Sequence, residues 1–203
     1  MPHEVYTIGH SNHSLAHFVL LLRQHGITAV ADVRSSPYSR RHPHFSRHNL
    51  APALHASAEI AYVFLGQQLG ARPDDDECYD ADGRVDFERL GESLSFRNGL
   101  RRVLKGREEY RIVLMCAEHD PIQCHRGILI APRLRAEAGE ILHIGPDGGI
   151  ESHAEAEARL LQTLDIPRLA LFTDPAEQLA LAYREQARRI AWRRLESAAP
   201  SED

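Results

Sequence analysis

The strongest constraint on this chain is an alternation of two periodicities. Short β-rich apolar runs occupy residues 5–8, 27–33, 60–65, 111–116 and 140–144. Between them lie stretches with apolar side chains at helical spacing, of which Leu15, Phe18, Val19 and Leu22 are the clearest. Strands that alternate with helices imply a parallel sheet with right-handed crossovers. The run at 27–33 is apolar almost throughout, as suits a strand covered on both faces. The predicted fold is therefore α/β: a three-layer sandwich around a mainly parallel sheet of about five strands, with a C-terminal helical extension over about 150–197. All 203 residues are read as a single α/β domain whose core spans about 5–145, long enough to bury a core of its own.

Local signals set the expected boundaries. Ser14 is placed to cap the first helix and Gly26 to end it. Ser46 is the expected cap of a helix over 47–57, residues 67–84 read as loop with room for a short turn, and 87–104 as one helix weakened by Gly91 and Gly99. Residues 124–138 read as a helix interrupted by Pro132, 145–149 as a turn, and 152–164 as a helix. Asp174-Pro175-Ala176-Glu177 is a strong start for a helix running to 196, and 198–203 are expected to fray.

Composition narrows the function classes. A net charge of -5 gives no overall attraction to nucleic acid. No apolar run approaches a membrane span, and the first residues lack the basic and apolar regions of a secretory signal, so a cytoplasmic location without a membrane partner is expected. Three cysteines in such a setting do not make a disulfide framework. The charge is unevenly spread, however. Residues 33–50 carry Arg34, Arg40, Arg41 and Arg47 with three histidines and no acid, whereas 74–88 is strongly acidic and reads as solvated loop.

In a parallel sheet the carboxyl ends of the strands carry the ligands. Four segments should meet there: 9–11, 32–37, 66–72 and 116–126, each polar directly after an apolar strand. Cys124, at the expected start of a helix beside His125 and Arg126, has the setting that favours a thiolate. The same helix start, with Arg126, would hold an anion. Adjacent helical residues point about 100° apart, so Cys124, His125 and Arg126 cannot all face one ligand. Cys116 and Glu118 are expected to share a face, Glu118 as general acid or base, with Cys116 able to approach Cys124 as a redox partner or second metal ligand. Asp32 and Arg34 also share a face, Arg34 suited to phosphate or carboxylate and Asp32 to holding it. His10 can relay a proton. Tyr38 and Phe45 interleave with arginines in a pattern that can stack bases, although a solvated basic loop is the simpler reading. Among His10, His13, Cys116, His119, Cys124 and His125, the candidates on the proposed edge, no pair has the short Cys-x-x-Cys or His-x-x-x-His spacing of a strong metal motif, so no metal or cofactor is assigned and a Cys/His metal site ranks below a metal-free one.

The ordered motifs Thr7-Ile8-Gly9-His10-Ser11, Asp32-Val33-Arg34-Ser35 with Pro37, Leu65-Gly66 with Leu69-Gly70, Cys116-Ala117-Glu118 and Cys124-His125-Arg126 resemble the bacterial domain-of-unknown-function family four-eight-eight. Ala71 stands where many relatives have a second glycine. The resemblance implies one shared site and no particular reaction. The expectation is an enzyme acting on an anionic, phosphate-bearing substrate such as a nucleotide or nucleic-acid component. Cys124, Glu118 and His10 would be catalytic, and Arg34, Arg126, Asp32, His125 and Cys116 would bind substrate. The alternatives are a non-catalytic nucleic-acid-binding or DNA-repair-associated module, and a metalloprotein. The oligomeric state is left open.

Overall fold

The computed structural model describes residues 2–166 and 174–194. One sheet has the strand order β3-β2-β4-β1-β5-β6. The strands are β1 (Val5–Gly9), β2 (Ala29–Asp32), β3 (Ala61–Phe64), β4 (Ile112–Cys116), β5 (Ile141–Ile144) and β6 (Ile150–Ser152). The first five run parallel, and β6 returns antiparallel to β5 with Glu151 opposite His143. The sheet thus has one strand more than the five runs indicate. The extra strand is three residues long, too short for a periodicity, and follows the expected turn, where the Gly145 amide donates to the Gly149 carbonyl at 2.8 Å.

The helices are α1 (Leu15–Gln24), α2 (Arg47–Ala58), α3 (Gly66–Leu69), α4 (Phe87–Glu92), α5 (Leu94–Gly106), α6 (Ala131–Ala138), α7 (His153–Thr163) and α8 (Pro175–Ile190). Side-chain alternation along the strands sorts residues between two cores. On β4, Val113 and Met115 pack with Phe18 and Leu22 of α1 and Leu50 and Leu54 of α2. Ile112, Leu114 and Cys116 face the other way, with Phe96 of α5, Leu134 of α6, Leu160 of α7 and Ala182 of α8. Helices therefore cover both faces, and the C-terminal helices belong to the second helical layer.

Several boundaries have visible causes. Ser14 caps α1, its Oγ accepting from the His17 amide at 3.2 Å. The expected helix over 87–104 is two helices. The break falls at Ser93, extended at φ -60° and ψ 145°, whose Oγ caps α5 by accepting from Phe96 N. Part of the expected loop 67–84 is helical, in α3 and a 3₁₀ turn at Asp76–Cys78. Pro132 does not end its helix. The turn before it, Arg126–Ile130, opens to π spacing, with the Ala131 amide bonded to the Arg126 carbonyl five residues back. Helix α8 stops at Ile190, short of the expected 196, because residues 191–194 turn to pair with 83–85: Val85 N donates to Trp192 O and Arg194 N to Gly83 O. Residues 195–196 and the tail at 198–203 lie outside the described residues. Among the described residues no helix is long and apolar enough to cross a membrane.

Strand β1 leads into α1 on one face, and its neighbour β4 leads through the π turn into α6 on the other. Adjacent strands whose helices depart to opposite faces open a crevice beyond their carboxyl ends.

Candidate functional site

A cleft of about 950 Å³ lies in that crevice. Its walls come from the segments after β1, β2 and β4, from Ala71 and Arg72 after α3, from Phe87 at the start of α4, and from Ile190 and Trp192 at and just beyond the end of α8. The loop after β1 and the loop after β4 are laced together: His10 N donates to Cys116 O at 2.8 Å and Ser11 N to Ala117 O at 3.0 Å. Gly9 permits this approach, since a Cβ there would sit 1.9 Å from the Glu118 carbonyl oxygen.

One wall holds a sulfur–sulfur–imidazole cluster. The His125 Nδ1 is 3.8 Å from Cys116 Sγ and 3.7 Å from Cys124 Sγ, and the three ligand-type atoms lie within 4.8 Å of one another. Cys124 is extended, at φ -139° and ψ 144°, and its carbonyl accepts from the amides of Gly127 and Ile128. It therefore lies just before the helical run that begins at His125 and is not its first helical residue, as the sequence reading had it, and its side chain turns toward His125. Both thiols are reduced and almost wholly buried, yet line the cleft. Burial pushes the Cys124 thiol up. A hydrogen bond from Cys116, the positive charge of Arg126 and the His125 ring outweigh it and hold the thiol well below its ordinary range. Cys116 moves the opposite way, raised by its hydrogen bond to Cys124, by burial and by the neighbouring charge. The two thiols are therefore pushed in opposite directions, Cys124 toward the thiolate and Cys116 toward the neutral thiol.

The opposite side of the crevice is built on Arg34. Its Nε donates to Asp32 Oδ1 at 2.9 Å, and Nη2 donates to Asp32 Oδ2 at 2.6 Å and Phe45 O at 2.8 Å. Its Nη1 meets His10 Nε2 at 3.1 Å. Of the five guanidinium N–H groups one, on Nη1, remains for a ligand. Asp32 is fully buried, also accepts from the Tyr62 hydroxyl at 2.6 Å, and faces the α1–α2 core, so it fixes Arg34 and does not reach the cleft. His10 Nδ1 lies 3.0 Å from the Ser11 carbonyl. A carbonyl only accepts, so Nδ1 carries the proton and Nε2 accepts from Arg34. Burial, then the Arg34 charge, lower the His10 pKa to about 4, and the ring is neutral at pH 7. Gly66 lets α3 close on this segment, since a Cβ there would lie 1.9 Å from the Arg34 carbonyl oxygen.

Arg126 was expected to hold substrate, and the structure spends it elsewhere. It is 1% exposed and lies behind the cleft wall. Its guanidinium donates to the carbonyls of Glu118 at 2.6 Å and His119 at 2.8 Å and to Thr7 Oγ1 at 3.3 Å. Cys124, His125 and Arg126 thus do not all face one ligand, as expected, although the first two converge: their side chains enter the cleft and the third ties down the loop beneath it. From Thr7 a buried chain runs away from the site. Thr7 Oγ1 is 2.7 Å from His143 Nδ1, His143 Nε2 is 3.0 Å from His153 Nδ1, and His153 Nε2 is 2.9 Å from the Tyr183 hydroxyl, which donates to Glu157 Oε1 at 2.9 Å. Burial lowers both histidine pKa values, so each ring has one proton. A carboxylate at one end and a guanidinium at the other leave a single direction of donation, Arg126 to Thr7 to His143 to His153 to Tyr183 to Glu157.

Glu118 lies past the end of β4, exposed on the cleft, with no side-chain hydrogen bond or ion pair among the described residues. Its carboxylate pairs with neither Arg34 nor Arg126. From the basic run, Arg41, His42 and the 69%-exposed Tyr38 line the cleft. Phe45 is fully buried and stacks on His10 at 4.3 Å, so it is not free to stack on a base. The sequence reading missed Arg72, Phe87 and Trp192, which complete the far wall, with the Arg72 guanidinium 5.4 Å from the Trp192 ring. The chain's one tryptophan was the available signal, but nothing in the local sequence ties it to strand ends more than seventy residues away.

A family model described as Domain of unknown function DUF488 matches residues 14–131, which contain β2 to β4 and the whole cysteine segment. No curated protein and no solved structure matches the chain.

Proposed function

This chain belongs to the DUF488 family, a domain family of unknown function, and from that starting point we propose that it is an enzyme acting on an anionic, phosphate-bearing substrate through the thiolate of Cys124. The observation that carries the proposal is the placement of Cys124 Sγ at a helix start, 3.7 Å from His125 Nδ1, in the wall of a basic cleft. Arg34, Arg41 and Arg72 face this cleft, with His42 and His119, against one carboxylate among the described residues, that of Glu118. An anion would meet the spare Nη1–H of a pre-oriented Arg34, which loses little freedom on binding. Glu118, exposed beside the cysteine loop, is the group available to move a proton. His10 orients Arg34, and its depressed pKa suits it to that more than to holding a proton at pH 7. Cys116 and Cys124 stay reduced, with no disulfide between them, in the reducing cytoplasmic setting this reading requires.

Alkylation by iodoacetamide tests the reading. Cys124 should react faster than a free cysteine at neutral pH, and its rate should persist well below the ordinary thiol pKa of ~8.5. Cys124→Ser should abolish the fast phase. A thiol no faster than free cysteine removes the nucleophile. A non-catalytic nucleic-acid-binding module is the second reading, favoured by exposed Tyr38 beside Arg41 on the cleft. Single-strand binding that falls steeply with salt and is equal in Cys124→Ser would select it.

A further inference from the structure

The cluster of Cys116, Cys124 and His125 also has the dimensions of a metal centre. A tetrahedral Zn²⁺ with bonds of ~2.3 Å to sulfur and ~2.05 Å to nitrogen holds its sulfur and nitrogen ligands ~3.6 Å apart and two sulfurs ~3.8 Å apart. Here the two sulfur–nitrogen separations are 3.8 and 3.7 Å, and all three atoms lie within 4.8 Å of one another. We propose that these three side chains form a binding site for one soft divalent cation, Zn²⁺ in type, with its fourth position open to the cleft.

Three further observations bear on this. His125 Nε2 lies 3.0 Å from the Val33 carbonyl and must donate to it, so in the neutral ring the lone pair is on Nδ1, the atom facing both sulfurs. A backbone carbonyl on the far nitrogen is the usual device that fixes a ligating imidazole. The ligands are also rigid and desolvated, at 6%, 3% and 8% exposure, and come from a strand end and the first turn of a helix. Finally, the donor set contains no carboxylate or carbonyl oxygen, which selects against Mg²⁺ and Ca²⁺ and toward thiophilic ions. Binding as thiolates would release to solvent whatever protons the two sulfurs hold, and two thiolates with one dication sum to zero charge inside a buried wall. The sequence conceals the site because adjacent helical residues diverge. Cys124 escapes that rule because it is extended, not helical.

The inference goes beyond the nucleophile reading and stands without it; where both hold, ion and substrate compete for the Cys124 sulfur. The experiment uses the full chain without an affinity tag, reduced and stripped with chelator, and titrated with Co²⁺ and then Zn²⁺. One Co²⁺ per chain should bind with thiolate charge-transfer absorption and the intense visible bands of a tetrahedral ion, and Zn²⁺ should displace it. Cys116→Ser should weaken binding by more than ~100-fold, beyond the loss typical of an outer-shell change, while Cys78→Ser should not. Weakly absorbing six-coordinate Co²⁺ alone, or unchanged affinity in a folded Cys116→Ser protein, overturns the proposal. Should that variant not fold, the wild type decides: equimolar Zn²⁺ must protect Cys124 from iodoacetamide, and undiminished alkylation overturns the site. The alkylation rate of the stripped protein reads the nucleophile independently, so either claim can fail alone.

Discussion

Lowering the pH from 7 to 4 should cost the native state about 3 kcal/mol through His10 alone. The ring is 3% exposed, and burial followed by the Arg34 charge lowers its pKa from 6.5 to about 4. In the unfolded chain it takes up a proton near 6.5. Between those two values the unfolded state binds more protons than the native state, so stability falls as pH falls. The stabilisation is whole above the unfolded pKa and is lost through the window down to about 4. At ~1.36 kcal/mol per pH unit the difference amounts to about 3 kcal/mol. The cause is local: Nε2 accepts from Arg34 Nη1 at 3.1 Å, and a protonated ring would set two N–H donors and two positive charges against each other. Asp32 and the Ser11 carbonyl favour the charged ring, but they are outweighed. The assay is urea unfolding followed by circular dichroism from pH 7 to pH 4, comparing wild type with His10→Gln, which keeps an N–H and an oxygen but does not titrate. Both proteins share the buried His143 and His153, so the difference between their curves belongs to position 10. Wild type should lose about 3 kcal/mol more than the variant. Parallel curves would refute the argument that the fold holds this ring neutral.

Two substitutions probe the frame around the site. Gly9→Ala places a Cβ 1.9 Å from the Glu118 carbonyl oxygen, so the cysteine loop must move; the expected loss is ~1–3 kcal/mol, together with the fast iodoacetamide phase at Cys124, and an alanine variant with native stability and reactivity would mean the two loops are not locked together. Tyr183→Phe removes the acceptor of His153 Nε2–H and the donor to Glu157, leaving a buried N–H unpaired at a cost of ~1–3 kcal/mol in urea unfolding; a change under ~0.5 kcal/mol would mean that the chain is not polarised in the direction deduced.

Much of the frame was readable from periodicity because that signal is local. The five parallel strands, the Ser14 cap and the Asp174-Pro175 helix start each depend on residues within a few positions of one another. The pairing of Asp32 with Arg34 was equally local, since alternation along a strand places them on one face. The errors came where distant contacts overrode local preference. Helix α8 ends at Ile190 because the next residues pair with 83–85, and Phe45 joins the core because His10 and α1 close over it. Arg126 looked like an anion ligand by its neighbours and is a loop clasp, because the carbonyls of Glu118 and His119 fold back over it.

By itself, the sequence determined that a parallel sheet would bring the segments after β1, β2 and β4 to one edge, since strands that alternate with helices run parallel and end on the same side; their order in the sheet came from the tertiary structure. It also determined which reactive side chains would be present there. Only the tertiary structure decided what each one does. Three guanidinium donations turn Arg126 inward, an extended cap residue brings the Cys124 sulfur to within 3.7 Å of His125, and a strand end supplies the second sulfur at 3.8 Å. Distances of this kind depend on angles accumulated over many residues and on contacts between strands far apart in the chain, and no local pattern encodes them.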